Sequence, residues 1–440
     1  VPGTTFPVGA LPALGVPDAT RPLDELTHVG LLVGPHEHAV GTDSYTYRHA
    51  LLRDTAYGSL GRHRRAELHA RFARWIRALP GPLGTELAGT HLALAHEVLP
   101  ATRAGLDDGT TVADLAREAA SLLADAADAA MVSAPQRAAS LLTDALALPA
   151  GTGAERLARR LDLAEALRRS GDVALALDAF DAAAEQAQAR DDDAALVTAA
   201  VGYEEALFAS RLPRDGRSAQ LLRAAERRVP ADDAVGRSRV LSLLGRALHF
   251  TGDDRGATEA CRRAVELVDG VEDGSADGAG TLRQAPLARA LLALRITQDA
   301  PGQLTERLRG GRTAFAAVGG PAAGDLPADD LELRLEVARL HLLDLLEAGD
   351  LAGADAVLAV AVDTVERLGR PLHRWYPPMW RAMRALLDGR HGDAAELADR
   401  FRVEAHRAHY ASTELVWTIL RLQLALDTGG PADVLPALRT

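Results

Sequence analysis

The chain has 440 residues, with 61 acidic against 49 basic side chains and a net charge of −12. Every basic residue is an arginine and asparagine is also absent. This excludes a phosphate-binding loop completed by the chain's own lysine, Schiff-base chemistry and N-linked glycosylation. The acidic balance disfavours direct binding to nucleic acid or to an anionic membrane. The 48% hydrophobic content, much of it alanine and leucine, with only 4% aromatic residues, suits closely packed helices.

Val1 to Pro17 carries four prolines and no charge before Asp18. With no basic start it reads as neither a signal peptide nor a membrane helix, and a linker is predicted over 1–22. A valine start points to a piece of a longer protein. The single cysteine, Cys261, cannot form an internal disulfide, so a cytoplasmic location is expected.

A partial winged-helix segment is predicted over 23–80. Leu23 to Leu32 has helical apolar spacing, and Val33 to Tyr47 alternates as a hairpin turning near Gly41-Thr42-Asp43. From Arg48 the period is helical through Trp75 and Ile76, until Pro80-Gly81-Pro82 breaks it.

Residues 84–440 read as helix after helix, giving an all-α chain of about eight tetratricopeptide-like helix pairs. In Val112 to Ala130 the apolar positions Val112, Leu115, Ala116, Ala119, Leu122, Leu123, Ala126 and Ala127 step by three and four. Leu331, Leu335, Ala338, Leu342, Leu345 and Leu346 repeat that pattern. Gly-Asp pairs recur at Gly171-Asp172, Gly252-Asp253, Gly349-Asp350 and Gly392-Asp393, where glycine can end one helix and aspartate can cap the next. Their separations of 81, 97 and 43 residues fit multiples of roughly 40 if the acidic stretch Asp269 to Gly280 is an inserted loop.

The run Tyr47-Arg48-His49-Ala50-Leu51-Leu52-Arg53-Asp54-Thr55-Ala56-Tyr57-Gly58-Ser59-Leu60, continued by Arg65-Ala66-Glu67-Leu68-His69-Ala70-Arg71-Phe72-Ala73, resembles a segment of actinobacterial multidomain signal-transduction ATPases of the STAND type. Gly202-Tyr203-Glu204-Glu205-Ala206, Arg374-Trp375-Tyr376 and Leu386-Leu387-Asp388-Gly389-Arg390 add softer likenesses. The resemblance implies an ATP-dependent switch with two branches, LuxR-type transcriptional regulators and class III nucleotide cyclases, whose helical repeats sense an effector or partner. It places ATP or ADP in the parent protein and no cofactor in this chain. The expected partners are a protein or small effector and an upstream ATPase domain of the same parent. It also implies that His49, after the Tyr45–Tyr47 strand, contacts the parent's bound ADP; the residues alone read rather as a histidine that caps or packs the helix start.

No catalytic constellation is legible, so a non-enzymatic sensor and interaction segment is expected, with a scaffold or the regulatory part of a cyclase as alternatives. His36 and His38 around Glu37, and His406 with His409, lack a third ligand at set spacing, so no metal site is expected. Arg62, Arg64 and Arg65 with His63 can attract a phosphate or simply face solvent near Glu67. Cys261 reads as a buried small hydrophobe. The expected recognition surface is Trp375, Tyr376 and Trp380, supported by Met379 and Met383, because two of the four tryptophans fall here in an aromatic-poor chain. The competing reading has the rings filling a gap between helix pairs.

Overall fold

The computed structural model describes residues 3–37, 43–79, 82–99, 102–208, 214–269, 284–322, 324, 326–370, 373–408, 410 and 412–430. The chain divides into two compact units, Val1–Pro213 and Arg214–Thr440. The first opens with strand β1 (Thr5–Pro7), helix α1 (Thr20–His28), strands β2 (Leu32–Glu37) and β3 (Asp43–Tyr47), and helix α2 (Ala50–Gly58). It continues through α3 (Arg62–Arg77), α4 (Pro82–Val98), α5 (Val112–Ala130), α6 (Pro135–Ala147), α7 (Gly153–Ser170), α8 (Val173–Ala189) and α9 (Asp193–Phe208). The second unit holds α10 (Arg217–Glu226), α11 (Ala234–His249), α12 (Asp254–Val268), α13 (Ala285–Ile296), α14 (Leu304–Ala317) and α15 (Ala328–Ala348). It ends with α16 (Leu351–Leu368), α17 (Tyr376–Leu387), α18 (His391–Arg407) and α19 (Thr413–Thr428). Beyond Gly84 the only β pairing among the described residues is an isolated bridge between Gly105 and Thr111.

The protein is an all-α helical-repeat chain. Within each unit every helix from α3 onward packs on the next, and α7 also touches α9, as α11 does α13, α13 does α15 and α17 does α19. Successive helices lie against one another, so each pair buries its apolar stripe against the following pair. The stripes are rich in small residues. On α5, Ala116, Ala119, Ala120 and Ala127 are buried beside Leu115 and Leu123, and alanine lets neighbouring axes come close. Gly245 on α11 goes further: a Cβ there would lie 2.3 Å from the Cys261 sulfur on α12. Cys261 is thus a packing residue, and burial pushes its thiol up to about 12, far from nucleophilic use.

Helix starts explain the local order. Thr111 and Asp114 form a reciprocal capping box at α5, and Thr152 and Glu155 do so at α7. Gly171, Gly252 and Gly349 adopt positive φ of 90°, 86° and 74°, a conformation open to glycine without strain. The aspartates after Gly252 and Gly349 then cap the next helix by accepting a hydrogen bond from a glycine N–H three residues on: Asp253 from Gly256 at 2.9 Å and Asp350 from Gly353 at 2.9 Å. Asp172 starts α8 without such a bond.

Three expectations are corrected. The stretch predicted as a linker, 1–22, is built into the unit: β1 pairs with β3 in a sheet ordered β1-β3-β2, Phe6 joins a small core with Leu23, Leu32 and Tyr45, and Ala10 and Leu14 enter the main helical core. The boundary after residue 80 is no break in packing, because α3 lies against α4 in one continuous core; the interruption falls earlier, at Ser59 to Gly61, between α2 and α3. The pair Gly392-Asp393 lies inside the first turn of α18, and the turn itself is made by Gly389, with φ +68°. The turn predicted near Gly41-Thr42 and the acidic stretch after Asp269 lie outside the described residues.

Candidate binding site

The aromatic group near residue 376 is core. Trp375 is 6% exposed and Trp380 1% exposed. Trp375 stacks on Tyr376 with centroids 4.0 Å apart and on Tyr410 at 4.2 Å, and Tyr376 stacks on Trp380 at 4.9 Å. Burial pushes the Tyr376 hydroxyl up to about 12. Trp375 and Trp380 therefore do not present a recognition surface: their rings fill the seams joining α17 to its neighbours, with the partly buried Tyr376 stacked between them, where large apolar area is best used. Met379 and Met383 are packed against the same cores.

What this core positions is a cleft of about 440 Å³ on the other side of α17, lined by the end of α16, the start of α17 and the middle of α18. Pro377, Pro378 and Leu397 supply apolar surface, while Arg374, Arg381 and Arg400 line it with guanidinium groups. Most neighbouring arginines are committed. Arg384 bonds Asp355 at 2.7 Å, Arg402 bonds Glu414 through two nitrogens at 2.9 and 2.8 Å, and Arg407 holds Glu404 at 2.7 Å. Arg374, Arg381 and Arg400 make no ion pair with any described residue. With Glu404 neutralised by Arg407, the remaining acid of the cleft is Glu366, and the local charge is positive in an acidic chain. Planar forked donors beside apolar surface can grip a carboxylate or phosphate group. The lining combines these guanidinium groups with the carboxylates of Glu366 and Glu404.

The other sequence candidates fall as follows. His49 sits at the N-cap position of α2 in an extended conformation, makes no side-chain cap bond and is exposed. Arg62 donates to the Val98 carbonyl at 3.1 Å, Arg64 to Glu67 at 2.9 Å, and Arg65 to the Leu60 and Gly58 carbonyls at 2.9 Å each. These arginines are thus engaged within the fold and form no phosphate cradle. His63 lies 2.9 Å from Asp107 and 3.7 Å from Glu67. That trio could face a cation, but Arg64 already satisfies Glu67, and the other ring nitrogen of His63 is buried without a partner, whereas a metal-ligating histidine normally donates from that atom. His36 contributes its backbone carbonyl to Ser44 at 3.1 Å, and His406 pairs with Glu414 at 2.7 Å. His38 and His409 lie outside the described residues.

The resemblance segment divides in two: α2 buries no residue and leaves Leu51 77% exposed, whereas the α3 part packs into the core through Ala66, His69, Ala70, Phe72 and Ala73. Tyr57 of α2 bonds His69 of α3 at 2.9 Å, His69 bonds His91 of α4 at 2.8 Å through their Nδ1 atoms, and the Arg65 guanidinium lies 4.8 Å from the Tyr57 ring centre. Burial, followed by the neighbouring His91, lowers His69 to about 3, and burial lowers His91 to about 4.

No family model matches the chain, and no curated protein matches it. Among solved structures the chain is similar to a Signal Transduction ATPase with Numerous Domains (STAND) protein with a tetratricopeptide repeat sensor from Pyrococcus horikoshii, at 12% identity over 94% of this chain with a TM-score of 0.45. The chain spans 63% of that protein's length. It is also similar to a Rap protein complexed with competence and sporulation factor, at 11% identity over 86% of this chain and 98% of that one, TM-score 0.40. Aspartyl phosphate phosphatase F from Bacillus subtilis matches at 10% identity over 81% and 88% of the two chains, TM-score 0.39.

Proposed function

We propose that this chain is the non-enzymatic sensor and protein-interaction segment of an ATP-dependent signalling or transcriptional regulator, and that the cleft beside α17 receives an acidic segment of its partner. The observation that carries this reading is the convergence of three unpaired arginines, Arg374, Arg381 and Arg400, over an apolar surface. Binding there would favour one packing of α16, α17 and α18 over another, and only such differential affinity can move an output domain.

A fluorescein-labelled hexaglutamate peptide tests it by anisotropy. The chain is expected to bind the peptide with an affinity that falls as salt rises. The triple variant Arg374→Ala/Arg381→Ala/Arg400→Ala is expected to lose at least about tenfold, one such step being roughly 1.4 kcal/mol, while its melting temperature stays put because the three side chains are exposed. Undiminished binding by that variant removes the cleft from the account, and ATP turnover by the purified chain would remove the non-enzymatic assignment.

The same reading gives His49 a role in the parent, as a donor or acceptor to bound ADP, consistent with its exposed and uncapped position. His49→Ala in the intact regulator then speeds ADP release, and equal off-rates would leave His49 with no part in nucleotide sensing.

A further inference from the structure

We infer that a second cleft, of about 380 Å³ and formed by α12, α13 and α14, is a site for a small zwitterion with an apolar body, of the size and chemistry of a dipeptide of two hydrophobic residues. The volume lies within the range of small-ligand sites.

The first observation is a glycine without a packing reason. Gly310 and Gly311 stand together in the interior of α14, where glycine is less favourable than alanine. Gly311 is required: a Cβ there would lie 2.5 Å from Nδ1 of His341 on α15. Gly310 is not, since a Cβ there would meet only the Leu291 side chain, at 3.9 Å. Both Gly310 and Leu291 line the cleft, so the missing methyl is open volume facing a wall made by Leu287, Leu291 and Leu294. An unfavourable residue that keeps this volume open is explained by a ligand that approaches the helix backbone.

The second observation is a charge-balanced polar frame anchored by a buried ion-pair group. Asp344 is 0% exposed and accepts from Arg295 at 2.6 and 2.8 Å, while Arg307, 6% exposed, reaches Asp344 at 3.5 Å and Glu347 at 2.5 Å. These two arginines are thus matched by two carboxylates, and the Nε of Arg307 remains buried without a hydrogen-bond partner. Four other charged groups line the cleft: Arg262, Arg309, Asp269 and Glu306, two of each sign. Buried Gln298 donates to Glu306 at 3.2 Å and holds its carboxylate in place. Arg262, Arg309 and Asp269 make no ion pair with any described residue. A ligand of one net charge gains little from a balanced frame, whereas a zwitterion can satisfy both signs at once and lay its side chains on the leucines.

Calorimetry on the whole chain with the dipeptide Leu-Leu as probe decides the matter. The expected result is saturable binding, weakened at least about tenfold by capping the probe's amine (N-acetyl-Leu-Leu) and likewise by capping its carboxylate (Leu-Leu-amide). Gly310→Leu fills the cleft and is expected to abolish binding, while Gly310→Ala raises the melting temperature, as a methyl entering open space on a helix should. Arg309→Gln and Glu306→Gln, both at exposed positions, guard against a folding defect in the leucine variant and are each expected to weaken the probe. Absence of binding by the wild-type chain at roughly 1 mM probe overturns the inference. So does equal binding of the capped probes, or full binding by Gly310→Leu.

Discussion

His69 and His91 share a hydrogen bond in the core of the first unit, and that bond needs one nitrogen to give a proton and the other to accept it. With both rings protonated each nitrogen is a donor and the two charges repel in a buried setting. Folding lowers His69 to about 3 and His91 to about 4 from 6.5, so the unfolded chain takes up protons that the folded chain refuses. Stability from this pair is therefore complete above pH 6.5 and is lost as pH falls from there through 4 to about 3. The melting temperature is expected to drop across that window, and the double variant His69→Phe/His91→Leu to drop less steeply. A wild-type-minus-variant difference that does not change with pH would show that the pair contributes nothing to acid sensitivity. His69 and Phe72 belong to the α3 part of the resemblance segment, and that part is accounted for by packing: Phe72 lies 4.6 Å from the His91 ring.

At the scale of the element, three helix starts share the pattern Asp-x-x-Gly: Asp233 with Gly236, Asp253 with Gly256 and Asp350 with Gly353. A Cβ on Gly256 would fall 2.5 Å from the Asp253 carboxylate, so the glycine exists for the cap. Asp253→Ala is expected to cost about 1 kcal/mol. Gly256→Ala alone should also destabilise, because the carboxylate is displaced. Made in the Asp253→Ala background, the same Gly256→Ala should stabilise by up to about 1 kcal/mol through helix propensity. Urea unfolding of the three variants reads this reversal of sign, and additive effects would refute the coupling. The pattern is plain in the sequence once the helix starts are known, as are the amphipathic periods and the glycine turns at Gly171, Gly252 and Gly349. Other features were not legible. A strand of three residues such as Thr5–Pro7 carries too little alternation to register. The fate of Trp375 depends on Phe401 and Tyr410, which arrive from later in the chain, and no local pattern foretells that a ring is covered. That Arg374, Arg381 and Arg400 gather in one cleft without ion-pair partners among the described residues is a property of the folded surface.

At the scale of the whole molecule, the two units are built by one rule, in which contact passes from each helix to the next and, at several places, to the one after. Free energy in such an array is close to a sum of helix stabilities and neighbour terms. A substitution is then felt over a short distance along the stack, and most of the protein reports nothing of it. The skip-one contacts between α13 and α15 and between α17 and α19 add a second rail beside the first. In mechanical terms the second unit is a laminate: a force applied at one sheet is relayed by shear between adjacent layers and fades with every layer crossed. Whatever occupies a cleft between three of these helices can stiffen them and their immediate neighbours, so the reach of a signal is counted in helices rather than in ångströms.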